Sequence, residues 1–142
     1  MTVALILADK GREVFTMRPE TSVSDVVDIL ASKKIGAVVI TDASDVVCGI
    51  VSERDIVREI SLRGASVLDQ PVTQCMTRKV VSCSEEDTID AVMGIMTRNR
   101  FRHLPVTANG RLAGIVSIGD VVKRKIEQAV RDAEELRNYI AG

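Results

Sequence analysis

A chain of 142 residues in which nineteen Lys and Arg stand against twenty Asp and Glu, for a formal net charge of -1, has no basic excess of the kind that binds nucleic acid. Its 46% hydrophobic content suffices for one compact domain, yet with no Trp, one Tyr and two Phe the core has to be aliphatic and Met-filled, and bases find no stacking platform. Three cysteines (Cys48, Cys75, Cys83) without CxxC spacing and the single His103 supply too few soft ligands for a zinc site and read as reduced thiols in or near the core.

In chain order, Met1 to Ala8 is apolar but is followed at once by Asp9, Lys10 and Arg12. No run approaches the ~18 residues of a membrane span, so the expectation is a cytoplasmic protein without a targeting segment and without a membrane partner. A first unit, residues 12–63, opens on a short strand at Thr16-Met17-Arg18. Val23, Val26, Val27 and Leu30 then fall at helical spacing, and Ala37 to Ile40 reads as a strand. Thr41 to Asp45 is a polar turn, Val46 to Ser52 the returning strand, and a helix follows from about Asp55. Residues 64–79 carry Gly64, Pro71 and polar side chains of a linker with little regular structure, although Val67, Leu68, Val72 and Met76 make it too apolar for a free tether.

The second unit, residues 80–126, repeats the order. Val81-Ser82-Cys83 is the short strand, Ile89, Val92, Met93 and Met96 mark a helix, and His103-Leu104-Pro105-Val106 leads into a hairpin. Its turn is Asn109-Gly110, the pair that best accepts the positive φ angles of a type I′ turn. Leu112 to Ser117 returns, and a helix runs from about Asp120. Residues 127–142 prolong that helix, with Val122, Ile126, Ala129, Val130, Ala133, Leu136 and Ile140 in one stripe that either caps its own domain or meets another subunit.

The two units are copies. Gly49-Ile50-Val51-Ser52-Glu53-Arg54-Asp55-Ile56-Val57 returns as Gly114-Ile115-Val116-Ser117-Ile118-Gly119-Asp120-Val121-Val122, with six of nine positions identical. On these residues, together with Arg102-His103-Leu104-Pro105-Val106, the chain resembles a stand-alone bacterial tandem CBS-domain protein, a pair of cystathionine β-synthase-type domains. The resemblance covers roughly residues 12–126. It implies an α/β (α+β) fold in which two tandem β-α-β-β-α motifs pack as one pseudo-two-fold module with a long C-terminal helix, two modules pairing into a homodimer. It also implies clefts between the motifs that take an adenosine compound such as AMP, ADP, ATP, NAD(H) or S-adenosylmethionine.

Carried over by position, Asp55 and Asp120 would hold the ribose hydroxyls, with Ser52 and Ser117 beside them at helix N-termini that favour an anion. Ile35, Gly36 and Ala37 in the first unit, and Arg102, His103 and Pro105 in the second, would read the adenine. Thr16, Arg18, Ser82 and Thr77 stand on segments that would line the clefts. The copies differ in charge: Arg54 can grip a phosphate in the first, whereas Gly119 replaces it in the second and Arg100, Lys123 and Arg124 stand nearby, so two non-equivalent sites are expected.

Each assignment has a structural alternative. Ser-x-x-Asp at a strand-to-helix junction is also close to a capping box, which needs no ligand. Arg54 is equally suited to a surface pair with its acidic neighbours, and Lys123 and Arg124 to a solvated helix face. His103 has no acid next to it in sequence and reads as a packed or ligand-stacking strand histidine rather than a base. The chain offers no nucleophile-base pair, metal cluster or Gly-rich phosphate loop, so no enzyme and no catalytic cofactor is expected. Two functions remain open: a regulatory nucleotide sensor acting on an unknown downstream protein, or a ligand-independent dimeric scaffold.

Overall fold

The computed structural model describes residues 1–141. The first unit holds β1 (Thr16–Met17), α2 (Val23–Lys33), β2 (Ala37–Thr41), β3 (Val47–Ser52) and α3 (Glu53–Arg63). The second holds α4 (Ile89–Asn99), β4 (His103–Ala108), β5 (Arg111–Ser117) and α5 (Ile118–Ala141), and a helix not expected from the sequence, α1 (Val3–Lys10), precedes both. Equivalent helices start and stop alike. Ser22 Oγ accepts the Asp25 N–H at 3.1 Å and Thr88 Oγ1 the Ala91 N–H at 3.0 Å, while Lys34 and Arg100 leave their helices in the left-handed region at φ 54° and 57°.

β2 is buried at every position because it lies between β1, parallel to it, and β3, antiparallel. In the second unit only the antiparallel pair β4–β5 forms a regular sheet, closed by Asn109 and Gly110 at φ 54° and 78° as the type I′ turn requires. The expected strand at Val81-Ser82-Cys83 shrinks to a single parallel bridge between Cys83 and Val106. Pro105 is the reason. It occupies the place of Val39, whose N–H bonds to Phe15, and it has no N–H to give.

Two aliphatic cores result. One gathers Val23, Val26, Leu30, Val38, Ile40, Val51 and Ile56 from the first unit; the other Ile89, Val92, Met96, Leu104, Val106, Val116 and Val121 from the second. Each is completed by the segment leading into the opposite unit. Val3, Ile6 and Leu7 of α1 enter the second core, and Val67, Val72 and Cys75 enter the first. Residues 64–79 are therefore not plain linker: they form 3-10 turns at Ala65–Asp69 and Val72–Gln74, because their apolar side chains cover the first core.

The crossed arrangement is near-symmetric. Val72 and Val23 donate to Thr21 and Gln70 at 2.7 and 2.9 Å, as Val3 and Ile89 donate to Asp87 and Met1 at 2.9 and 3.1 Å. Gly49 and Gly114 permit the contact: a Cβ at either would lie 2.4 Å from Met76 Sδ or 2.8 Å from a Leu7 methyl. Finally, α5 continues 24 residues as one helix with only Val121 buried, and from Ala129 to Ala141 every residue is exposed. Gly142, the end of the extension expected at 127–142, lies outside the described residues. Among the described residues no helix is long and apolar enough to cross a membrane.

Candidate functional site

Both Ser-x-x-Asp turns fold as capping boxes. In the first, the Ser52 N–H donates to Asp55 Oδ2 at 2.9 Å and Ser52 Oγ accepts the Asp55 N–H at 3.3 Å; in the second, the Ser117 and Asp120 distances are 2.8 and 3.2 Å. Each helix is also fastened to the opening of its hairpin, Glu53 N–H to the Gly36 carbonyl at 3.1 Å and Ile118 N–H to that of Arg102 at 2.8 Å. The caps fix the two carboxylates at equivalent points. Their surroundings differ.

Around Asp55 lies a cleft of about 1020 Å³. The first unit lines it with Gly36, Ala37, Ser52, Arg54, Asp55 and Arg58, the connecting segment with Thr77 and Lys79, and the second unit with Arg100, Phe101, Arg102 and His103. The remaining Asp55 oxygen, Oδ1, takes Arg58 at 3.0 Å, a pair whose guanidinium is largely exposed. Thr77 exchanges two backbone bonds with Ile50, at 2.8 and 3.1 Å, which lays the connecting segment along the edge of β3. His103 crosses to the first unit. A Cβ on Gly36 would stand 3.0 Å from its Cε1, so the glycine lets the imidazole lie against backbone. Burial, helped by the nearby Lys10 ammonium, lowers the His103 pKa and favours the neutral ring.

Around Asp120 the space is taken by the chain itself. Lys10 Nζ donates to Asp120 Oδ2 at 2.7 Å and to the Ile115 carbonyl at 3.1 Å, while Asp9 lies 3.7 Å from Lys123 and 3.2 Å from Arg124. Arg124 also reaches Glu127 and the Leu5 carbonyl, each at 3.4 Å. Burial of Asp120 opposes ionisation, but the Lys10 ammonium and the Ser117 N–H outweigh it and hold the carboxyl below its ordinary value.

Of the residues singled out in the sequence, Gly36, Ala37, Ser52, Arg54, Asp55, Thr77, Arg100, Arg102 and His103 come together in the one cleft, the last three on the Asp55 side although they were expected at the second unit's site. Ser117, Asp120, Lys123 and Arg124 come together under α1. The others lie apart for local reasons. Thr16 pairs with Val39 in β1, and Arg18 is held by the β2–β3 turn through Asp42, Thr41 and Asp45. Ile35 packs on the first core, Pro105 is buried with its carbonyl on Cys83, and Ser82 meets Thr107. Arg58 and Lys79 escaped sequence reasoning. Arg58 was legible as the helical neighbour of Asp55, three residues on; Lys79 depends on the crossed packing and had no local signal.

The pattern that defines the CBS domain matches the chain twice, over residues 10–62 and 72–127. The chain belongs to the CBS-domain family. A CBS-domain containing protein, ATU1752 from Agrobacterium tumefaciens, is 51% identical with a TM-score of 0.85, over 87% of this chain and 92% of that one. By sequence, a 17.7 kDa protein of Acidianus ambivalens is 33% identical over 130 residues, 88% of this chain and 77% of its own. Two more distant pairs share the CBS fold. CBSX2, solved in complex with AMP, has a TM-score of 0.70 at 24% identity, over 82% of this chain and 90% of its own. The CBS pair of protein MJ0100, solved with 5-methylthioadenosine and S-adenosyl-L-methionine, has 0.81 at 22%, over 90% and 98%.

Proposed function

We propose that this CBS pair is a non-catalytic regulatory module that senses an adenosine nucleotide in the cleft beside Asp55. The observation that carries the proposal is the make-up of that cleft, where Asp55 faces Arg54, Arg58, Arg100 and Arg102 drawn from both units. A vicinal diol offers two donors to one carboxylate, and a phosphate offers acceptors to guanidinium groups. Asp55 would take the ribose through the oxygen that Arg58 now holds. Released, Arg58 joins Arg54 and Arg102 around the phosphate at the N-terminus of α3. Gly36 and Ala37 present backbone to the base, with His103 stacked beside it.

The distant pairs solved with AMP, and with 5-methylthioadenosine and S-adenosyl-L-methionine, support an adenosine ligand; ADP, ATP and NAD(H) fit the same chemistry. A ligand touching both units binds one mutual arrangement better than another and shifts the population toward it. The reader of that shift is a homodimer interface, through the exposed stripe of α5, or a downstream protein in the cytoplasm. The capping boxes favour the alternative, a scaffold, because they satisfy Ser52 and Asp55 without any ligand.

Calorimetric titration with AMP, ATP, NADH and S-adenosylmethionine tests this, run beside Asp55→Asn. Asn keeps one oxygen to accept the Ser52 N–H in the capping box but puts an NH2 donor where the ribose hydroxyls need an acceptor. Saturable binding that weakens about tenfold or more in the variant is expected, the scale of a lost hydrogen bond to a charged group. No binding of any of the four would leave the scaffold.

A further inference from the structure

The crossed packing sets Leu7 and Met76 each against the glycine of its hairpin, and the residues three further along, Lys10 and Lys79, hold corresponding positions in the two leading segments. Both are lysine. Lys10 shows what that place reaches: the motif carboxylate Asp120 and the carbonyl of Ile115 on the edge of β5. Lys79 is exposed on the wall of the open cleft, with no salt-bridge partner among the described residues. Lys123, the counterpart of Arg58, is turned to Asp9 instead of the motif carboxylate.

Resting on the nucleotide reading above, we infer that Lys79 is the ammonium counter-charge for the nucleotide's phosphate in the Asp55 cleft, and that its counterpart Lys10 occupies the Asp120 cleft from within, so that each chain takes one nucleotide rather than two. The donors differ in kind. In the open cleft the β3 edge is covered by Thr77 backbone, which leaves the Lys79 side chain to the ligand; in the other, the α1 helix runs on to Lys10 and the side chain itself meets the edge. At Asp120 the ammonium shares Oδ2 with the Ser117 N–H, so ribose hydroxyls are left with Oδ1 alone and with the Lys10 side chain lying across the β5 edge, and a phosphate would find Lys123 and Arg124 already against Asp9.

The test is the stoichiometry of AMP binding by calorimetry on the full chain, with adenosine as the uncharged control. Wild type is expected to take one AMP per chain, weakened about tenfold or more in Asp55→Asn and unchanged in Asp120→Asn. Lys10→Met is expected to admit a second AMP, which Asp120→Asn removes again. Lys79→Met should weaken AMP roughly tenfold and leave adenosine unchanged, the scale of one charge-assisted bond. Two AMP per chain in wild type, one of them lost in Asp120→Asn, overturns the inference and leaves the nucleotide reading standing. A Lys10→Met variant that still takes one AMP, or a Lys79→Met variant that loses AMP and adenosine alike, overturns it too. No AMP in any variant overturns the inference, and overturns the nucleotide reading with it when ATP, NADH and S-adenosylmethionine fail to bind as well.

Discussion

His103 sits where the two units touch, against Gly36 of the first and a short way from Lys10 and Asp120. Burial acts on its imidazole before any charge does, and it lowers the pKa from the ordinary 6.5. The sign of the consequence follows. As pH falls through 6.5 the unfolded chain takes up a proton that the folded chain still refuses, so stability drops with pH until the folded ring protonates as well. Urea melts at about pH 7.5 and 5.5 should show the loss, and His103→Gln should flatten it; an identical slope in the variant would mean that carboxylates, not this ring, set the trend. Asp120 acts in the same direction at lower pH. Its folded pKa is depressed, so its contribution is complete above 3.8 and disappears as pH falls below it.

Among the elements, α1 is short but enters a core it does not adjoin in sequence. Its eight residues place Val3, Ile6 and Leu7 in the second core, and Leu7 lies against Gly114. Leu7→Ala should cost about 2–4 kcal/mol in denaturant unfolding, as for a buried leucine in a core that cannot collapse around the gap. A cost near zero would show α1 to be an ornament on the fold. The signal for this helix was present in the i, i+3, i+4 spacing of Val3, Ile6 and Leu7, but eight residues are too few to make an isolated helix. Its partners lie more than eighty residues away, and no local pattern announces them. α2, α4, both hairpins and the Ser-x-x-Asp turns were legible because propensity, period and turn chemistry agree over neighbouring residues. The weakened strand at Cys83 was legible too, in principle, once Pro105 is aligned with Val39. That the two sites differ was legible in Arg54 against Gly119; what stayed hidden was that the chain's own Lys10 meets Asp120, since that pairing spans 110 residues.

At the scale of the molecule the two ends of α5 behave differently. Its first turns lie on the second unit through Val121 and Arg124, whereas beyond Ala129 it projects with Leu136 at 60% and Ile140 at 76% exposure. Along the stripe Val122, Ile126, Ala129, Val130, Ala133, Leu136 and Ile140, all but Val130 step by four and three residues as a coiled-coil seam does. A second copy packed along this exposed apolar seam would bury it, which is the homodimer proposed above. Light scattering on the wild type should give twice the chain mass. Leu136→Glu should return it to the monomer without lowering the melting of the core, since that side chain is exposed and belongs to neither core. A dimer that survives both Leu136→Glu and Ile126→Glu would place the contact elsewhere.

The exchange of leading segments between the two units says something about halves of this protein. Residues 12–63 cut from the rest would keep a hairpin and two helices but lose the Val67, Val72 and Cys75 lid; residues 80–126 would lose Val3, Ile6 and Leu7. A single unit that carried its own leading segment would have to hand it to a second molecule and receive that molecule's in return. Within this chain the two loans are made to itself, so an association that would depend on concentration between separate halves becomes a property of the fold.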